Sequence, residues 1–110
     1  VTMKPAFTAT ISTSEPHTLK VHVGGELTFG NAEDLDALIA EQLLRLPEVR
    51  DLFIDCADVA AVDSMGLSVL LMVKRRAQQA NAQLHLDNRP ARLERMLTLT
   101  GTYAHFTGQA

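Results

Sequence analysis

The chain has 110 residues, 46% of them apolar and 21% charged, which suits one folded domain with its own hydrophobic core. That length needs no disulfide or metal staples, and the single cysteine, Cys56, allows no internal disulfide. A formal net charge of −3 leaves no basic footprint for nucleic acid, and no apolar run reaches the length of a bilayer span.

Val1-Thr2-Met3-Lys4-Pro5 carries no hydrophobic stretch of export type, so the cytoplasm is the expected compartment. No repeat, low-complexity tract or linker divides the sequence, and residues 1–110 read as a single domain.

Phe7-Thr8-Ala9-Thr10-Ile11 alternates apolar and polar residues, the pattern of a half-buried strand. Ser12 to Pro16 is turn-rich. His17-Thr18-Leu19-Lys20-Val21-His22-Val23 alternates again, and the two runs predict an antiparallel hairpin. Gly24-Gly25 is expected to break the second strand, with Glu26-Leu27-Thr28-Phe29 continuing it or leading out of it. Asn31 is a candidate N-cap, followed by Glu33, Asp34 and Asp36 where a helix end favours negative charge. Leu35, Leu38, Ile39, Leu43 and Leu46 keep helical spacing, and Pro47 stops the helix.

Leu52-Phe53-Ile54 is apolar on both faces, as in a central strand, and Asp55 to Asp58 reads as a polar turn. Cys56, which follows the apolar run, is expected as a buried, non-catalytic thiol. A second helix runs from about Ser64 to Ala80. Its first half, Leu67 to Val73, is apolar nearly all round and must be buried, whereas Lys74-Arg75-Arg76 opens a solvated half. Leu84 and Leu86 alternate with Gln83, His85 and Asp87 in a further strand. Pro90 opens a third helix striped by Leu93, Met96 and Leu97, and Gly101 sits where it should stop. Tyr103-Ala104-His105-Phe106 is expected as a short edge strand.

The order β-β-α-β-α-β-α-(β) predicts an α/β fold with parallel strands joined by right-handed crossovers. A mixed sheet of four to five strands follows, with an N-terminal antiparallel hairpin. Lys20, His22, Gln83, His85 and Asp87 leave one sheet face polar, so the helices are expected mainly on the other.

Residues 62–73 hold the strongest functional signal. Ser64 enters a helix as a candidate N-cap. Its hydroxyl is expected near solvent at the rim of the sheet, where the helix end is partially positive and suited to a phosphate. A plain helix cap would also account for it. Asp63 brings a carboxylate to the same rim. Gly66 sits in the first turn at a cost to helix stability and would leave a bare surface open to another molecule. His17, His22, His85 and His105 show no paired ligand spacing. Asp55, Asp58 and Asp63 are explained as polar turn residues. No metal and no cofactor is expected.

Val62-Asp63-Ser64-Met65-Gly66-Leu67 resembles the signature of STAS domains, specifically bacterial anti-sigma factor antagonists, which commonly read Asp-Ser-Ser-Gly-Leu or Asp-Ser-Thr-Gly-Leu after an apolar strand. Gly25-Glu26-Leu27 resembles the family's Gly-Glu-Leu turn. Asn88-Arg89-Pro90-Ala91 with Arg92-Leu93-Glu94-Arg95-Met96-Leu97 resembles its final helix, and Thr100-Gly101 resembles the stop after it. The resemblance implies a short right-handed β-α superhelix and places the family's phosphoacceptor on Ser64. It implies an anti-sigma factor with serine kinase activity that phosphorylates Ser64 from ATP and is bound by the unphosphorylated form, which frees a sigma factor. A PP2C-type phosphatase would reverse the modification.

Asp63, Met65, Gly66, Thr28 and Asn31 are then the expected partner contacts, on a protein that is a monomer or a weak dimer and touches neither nucleic acid nor membrane. Two positions depart from the family. Thr28 stands where Asp is usual, removing a carboxylate from the loop expected beside Ser64. Met65 replaces the second hydroxyl residue, and either tunes partner choice or tucks against the third helix. Three other functions compete. A subunit of a multi-protein signalling scaffold would use the same fold. A serine hydrolase would use Ser64 as nucleophile, but Val62 stands where the hydrolase elbow Gly-x-Ser-x-Gly has its first glycine. A receiver-like domain would be phosphorylated on Asp55, but lacks the acidic pair after a first strand.

Overall fold

Strand β1 (Phe7–Ser14) pairs antiparallel with β2 (Thr18–Leu27), with Ile11 opposite Val21, as the alternation predicts. These positions come from a computed structural model that describes residues 7–107, giving the backbone alone at 13 and 14. Val1 to Pro5, read above for export signals, lies outside the described residues.

Gly24-Gly25 does not break β2, which runs on to Leu27. Gly25 has φ 84°, a conformation that favours glycine, and the pairing with β3 (Asp51–Val62) shifts register immediately after it. The glycines thus carry the strand through an irregularity. The turn expected at Asp55 to Asp58 is likewise absent. That stretch lies within β3, a strand of 12 residues. His22 faces Asp55 but Gly24 faces Asp58, and Gly25 faces Val59 but Glu26 faces Ala61. At each step β3 carries one residue more than β2, which bends and twists it. Asp55 Oδ1 accepts the Ala57 N–H at 3.1 Å, giving the bulged backbone a local partner. Polar composition suggested a turn, but these side chains serve a bulged strand.

Strand β4 (Gln83–Asp87) pairs parallel with β3, giving the sheet order β1-β2-β3-β4. The crossovers are helices α1 (Ala32–Arg45) and α2 (Ser64–Gln79), and α3 (Ala91–Leu99) and α4 (Tyr103–Thr107) follow β4. Leu19, Val21, Leu52, Ile54, Leu84 and Leu86 are buried in the core the helices share. On the opposite sheet face Phe53 stacks on His85 at 4.5 Å between centroids, and Lys20 Nζ lies 5.4 Å from the Phe53 ring. The predicted architecture, a mixed sheet with its hairpin at the N-terminus and helices mainly on one face, is the observed one. No helix among the described residues is long and apolar enough to cross a membrane.

Four local expectations change. Residues 103–107 form α4 rather than an edge strand. Gly101, at φ 73°, ends α3, and Phe106 N–H then bonds Thr102 O, burying Phe106 by a helical turn. In α2, Leu67, Val69, Leu70 and Val73 are buried, but Met72 is 48% exposed, because α2 packs against the sheet and beside α1 and keeps one side free. Arg76 keeps 41% of its side chain exposed, as the solvated half requires, but has a partner as well. It forms a bidentate pair with Asp36 of α1, at 2.6 and 3.1 Å, so Asp36 ties two helices together rather than serving the α1 dipole. Asn31 gives α1 no side-chain cap. The Thr28 carbonyl accepts Asn31 and Ala32 N–H at 3.0 and 2.9 Å and takes that role.

Ile54 lies in the interior of β3 with no solvent exposure. Ile54→Ala is expected to cost about 2–5 kcal/mol, to be read as a lowered urea midpoint with an unchanged denaturant slope.

Candidate functional site at the start of α2

The site forms where β2 and β3 both end, beside the first turn of α2. Its organising residue is Asp63, one position before the residue expected to cap the helix. Asp63 has extended backbone (φ −115°, ψ −174°) and is the N-cap. Its Oδ1 accepts the Gly66 N–H at 2.8 Å, satisfying one orphan donor of the first turn. Its Oδ2 accepts the Phe29 N–H at 3.0 Å. One carboxylate therefore holds the α2 end and the loop between β2 and α1. Hydrogen bonds from Gly66 and Phe29 hold its carboxyl below the usual carboxylate range.

Ser64, expected as the cap, is instead the first helical residue. It is exposed, and its carbonyl accepts the Ser68 hydroxyl at 3.0 Å. Its side chain stands at the positive end of a 16-residue helix. A Cα–Cβ bond in a helix tilts toward the N-terminus, so Cβ of Ser64 leans to the Asp63 side.

Gly66 is buried, so the bare surface expected there does not exist. A Cβ at Gly66 would lie 1.9 Å from the Leu27 carbonyl oxygen and 3.1 Å from Val62 Cγ2. The close approach that glycine permits is made by the chain's own β2, which seats α2 against the strand end. Met65 is half-buried, as are Thr28 and Asn31. Thr28 to Asn31 does lie beside the α2 start, joined to it through Phe29.

Phe29 escaped the sequence reading. Its side chain is 76% exposed, and Gly30 beside it has φ 88°. An aromatic after a Gly-Glu-Leu run looks like the end of a strand, and the available signal was the glycine next to it. Cys56 is buried, and burial pushes its thiol up to about 12, so it is inert at neutral pH. His17 bonds the Glu48 carbonyl, His22 bonds Asp58 and His85 bonds Asp51. No histidine is among the hydrogen-bond partners of Ser64 in the described residues, and no group of three metal-ligating side chains occurs there.

The STAS domain family matches residues 10–109; the chain belongs to the STAS domain family. The structure of unphosphorylated SpoIIAA, an anti-sigma factor antagonist, is similar at a TM-score of 0.77 and 16% identity, covering 91% of this chain and 85% of that one. An anti-sigma factor antagonist from Mycobacterium paratuberculosis matches at 0.75 and 23% identity, covering 91% and 82%. The murine anion transporter Slc26a9 matches at 0.72 and 22% identity, over 84% of this chain but 15% of the transporter. At these identities the likeness is one of fold. No curated protein matches in sequence.

Two outcomes test this geometry. Gly66→Ala forces the α2 end off Leu27 and is expected to cost at least about 1–3 kcal/mol, measured by thermal or urea unfolding. The lowered pKa of Asp63 means that its contribution is complete above the ordinary carboxylate pKa of about 4 and is lost as pH falls through its own lower value. Acid titration by carboxyl-carbon NMR should give Asp63 a midpoint below that of an ordinary aspartate. Gly66 and Phe29 amide shifts should move with the same midpoint.

Proposed function

We propose that the chain is an anti-sigma factor antagonist switched by phosphorylation of Ser64. In its unmodified form it binds an anti-sigma factor that has serine kinase activity, and so releases a sigma factor. In the kinase step Ser64 Oγ bonds to the γ-phosphorus of ATP, the bond to the bridging oxygen breaks, ADP leaves and the hydroxyl proton passes to a base of the kinase. A PP2C-type phosphatase hydrolyses the ester and returns the hydroxyl. The expected contact surface is Ser64 with Asp63, Met65, Thr28 and Asn31, to which the exposed Phe29 is added.

The observation that carries this reading is the exposed Ser64 hydroxyl at the first position of α2. Membership of the STAS domain family supports it, as does the likeness in fold to two anti-sigma factor antagonists. The energetics are of sufficient size. A phosphoserine adds about −1.5 to −2 charges, which a helix N-terminus accommodates. A partner carboxylate about 4 Å away would instead oppose it by roughly 4 kcal/mol at an effective dielectric of 20. At about 1.4 kcal/mol per tenfold, that is two to three decades of affinity. The fold is held while the docking surface is changed.

A second reading rests on the transporter match, in which a chain of this fold covers only a small part of a membrane protein. There the same surface would contact other parts of a larger assembly, as it would in a signalling scaffold. A hydrolase reading has less support, because the Ser64 hydroxyl lacks a histidine partner among the described residues.

Ser64→Ala should form a lasting complex with the kinase anti-sigma factor, recovered by affinity capture from the native cell. Ser64→Asp should bind at least about tenfold more weakly while melting close to the parent protein. Loss of binding by Ser64→Ala would make the hydroxyl itself a required contact, and unfolding of Ser64→Asp would refute the helix-end argument.

A further inference from the structure

Phosphate on Ser64 has a neighbour that already carries charge. Asp63 precedes it directly, with Cα atoms about 3.8 Å apart, and both oxygens of its carboxylate are engaged, one by Gly66 N–H and one by Phe29 N–H. The second bond crosses between chain segments 34 residues apart. Within the loop itself, Asn31 and Ala32 N–H both return to the Thr28 carbonyl. Among the described residues, the Phe29–Asp63 bond is the only hydrogen bond joining the 28–31 loop to the start of α2. What that bond holds in place is a phenyl ring that is 76% exposed. A large aromatic held out from a fixed backbone is the kind of side chain that anchors a protein interface.

Resting on the reading that Ser64 is the phosphorylated residue, we propose that Asp63 is a positioning residue that relays the charge on Ser64 to Phe29, so that phosphorylation releases the Phe29 loop from its docking pose. First, Cβ at the first helical position, which carries the phosphate ester, leans to the Asp63 side. Second, the free N–H groups of the first turn suit phosphate oxygens, so Gly66 N–H can pass from the carboxylate to the phosphate and remain bonded. Third, like charges on adjacent side chains repel, and the carboxylate relieves this by turning away. Phe29 N–H belongs to a separate chain segment, outside the first turn of α2, and Asp63 Oδ2 is its hydrogen-bond partner, so it follows the carboxylate. The switch then acts twice on a partner, by adding charge at Ser64 and by loosening the apolar anchor beside it.

The test uses the full chain with phosphoserine installed at position 64 during synthesis, so it does not depend on any kinase acting on this protein. Amide hydrogen exchange of Phe29 and Gly66 is followed by NMR with and without the phosphate. Phe29 should exchange about tenfold faster or more, the equilibrium weight of one charge-assisted hydrogen bond, while Gly66 keeps its protection. Unchanged Phe29 exchange would overturn the relay, and so would an equal rise at both amides, which is fraying of the helix end. The same comparison is made in Asp63→Asn, a good N-cap without charge whose single carbonyl oxygen can keep only one of the two bonds, so the phosphate effect is read against the unphosphorylated Asp63→Asn chain. There the phosphate should add little to Phe29 exchange. A full tenfold rise in that background would show that the phosphate acts on Phe29 without Asp63. Failure of the cellular switch with a positive exchange result would count against the phosphorylation reading alone.

Discussion

One carboxylate with two donors governs this structure. Asp63 follows β3, caps α2 through Gly66 and fastens the β2–α1 loop through Phe29. Each bond is ordinary for a charged acceptor. Their effect comes from continuing the contact of β2 with β3 past its last pair, Leu27 with Val62, and past the Asp63 N–H bond to the Leu27 carbonyl, so that the loop, the strand end and the helix end form one surface. Gly66 completes the joint from the other side. Its missing Cβ lets α2 settle on the Leu27 carbonyl, and any larger residue would push the helix away from the strand that carries the loop.

The sheet supplies the fixed platform for that joint. Parallel β2 and β3 point the same way, so their C-terminal ends meet at one edge, and the crossover helices start from there. The bulges in β3 alter its path before Asp63 is reached. The Asp36–Arg76 pair braces α1 against α2, limiting how far the two helices can shift when the exposed end is loaded. Stability is thus concentrated in the apolar layer beneath the helices, while the surface around Ser64 is left to polar bonds that can be exchanged.

This division suits a switch by charge. A phosphate at this helix start would meet favourable dipoles and free N–H groups, and the folded core would tolerate it. A protein docked on the same surface would meet the new charge without those compensations. The chain belongs to the STAS domain family, and its likeness in fold to anti-sigma factor antagonists and to part of an anion transporter is one of scaffold.

Alternation in the hairpin, helical spacing in residues 32–45 and the order of elements were enough to give the mixed sheet, its parallel crossovers and the one-sided helices, because burial on one face imposes periodicity directly on the residue types. The strand-to-helix passage at Asp63-Ser64 was also legible, since capping chemistry is local. The capping residue itself was not. Serine and aspartate both cap well, and the choice fell to Asp63 because a distant amide, Phe29, lay where its second oxygen could accept. The course of β3 through Asp55 to Asp58, the passage of β2 across Gly24-Gly25, the burial of Gly66 and the pairing of Asp36 with Arg76 share that cause. Each is fixed by a contact with a chain segment remote in sequence, and only the folded arrangement brings those partners within reach.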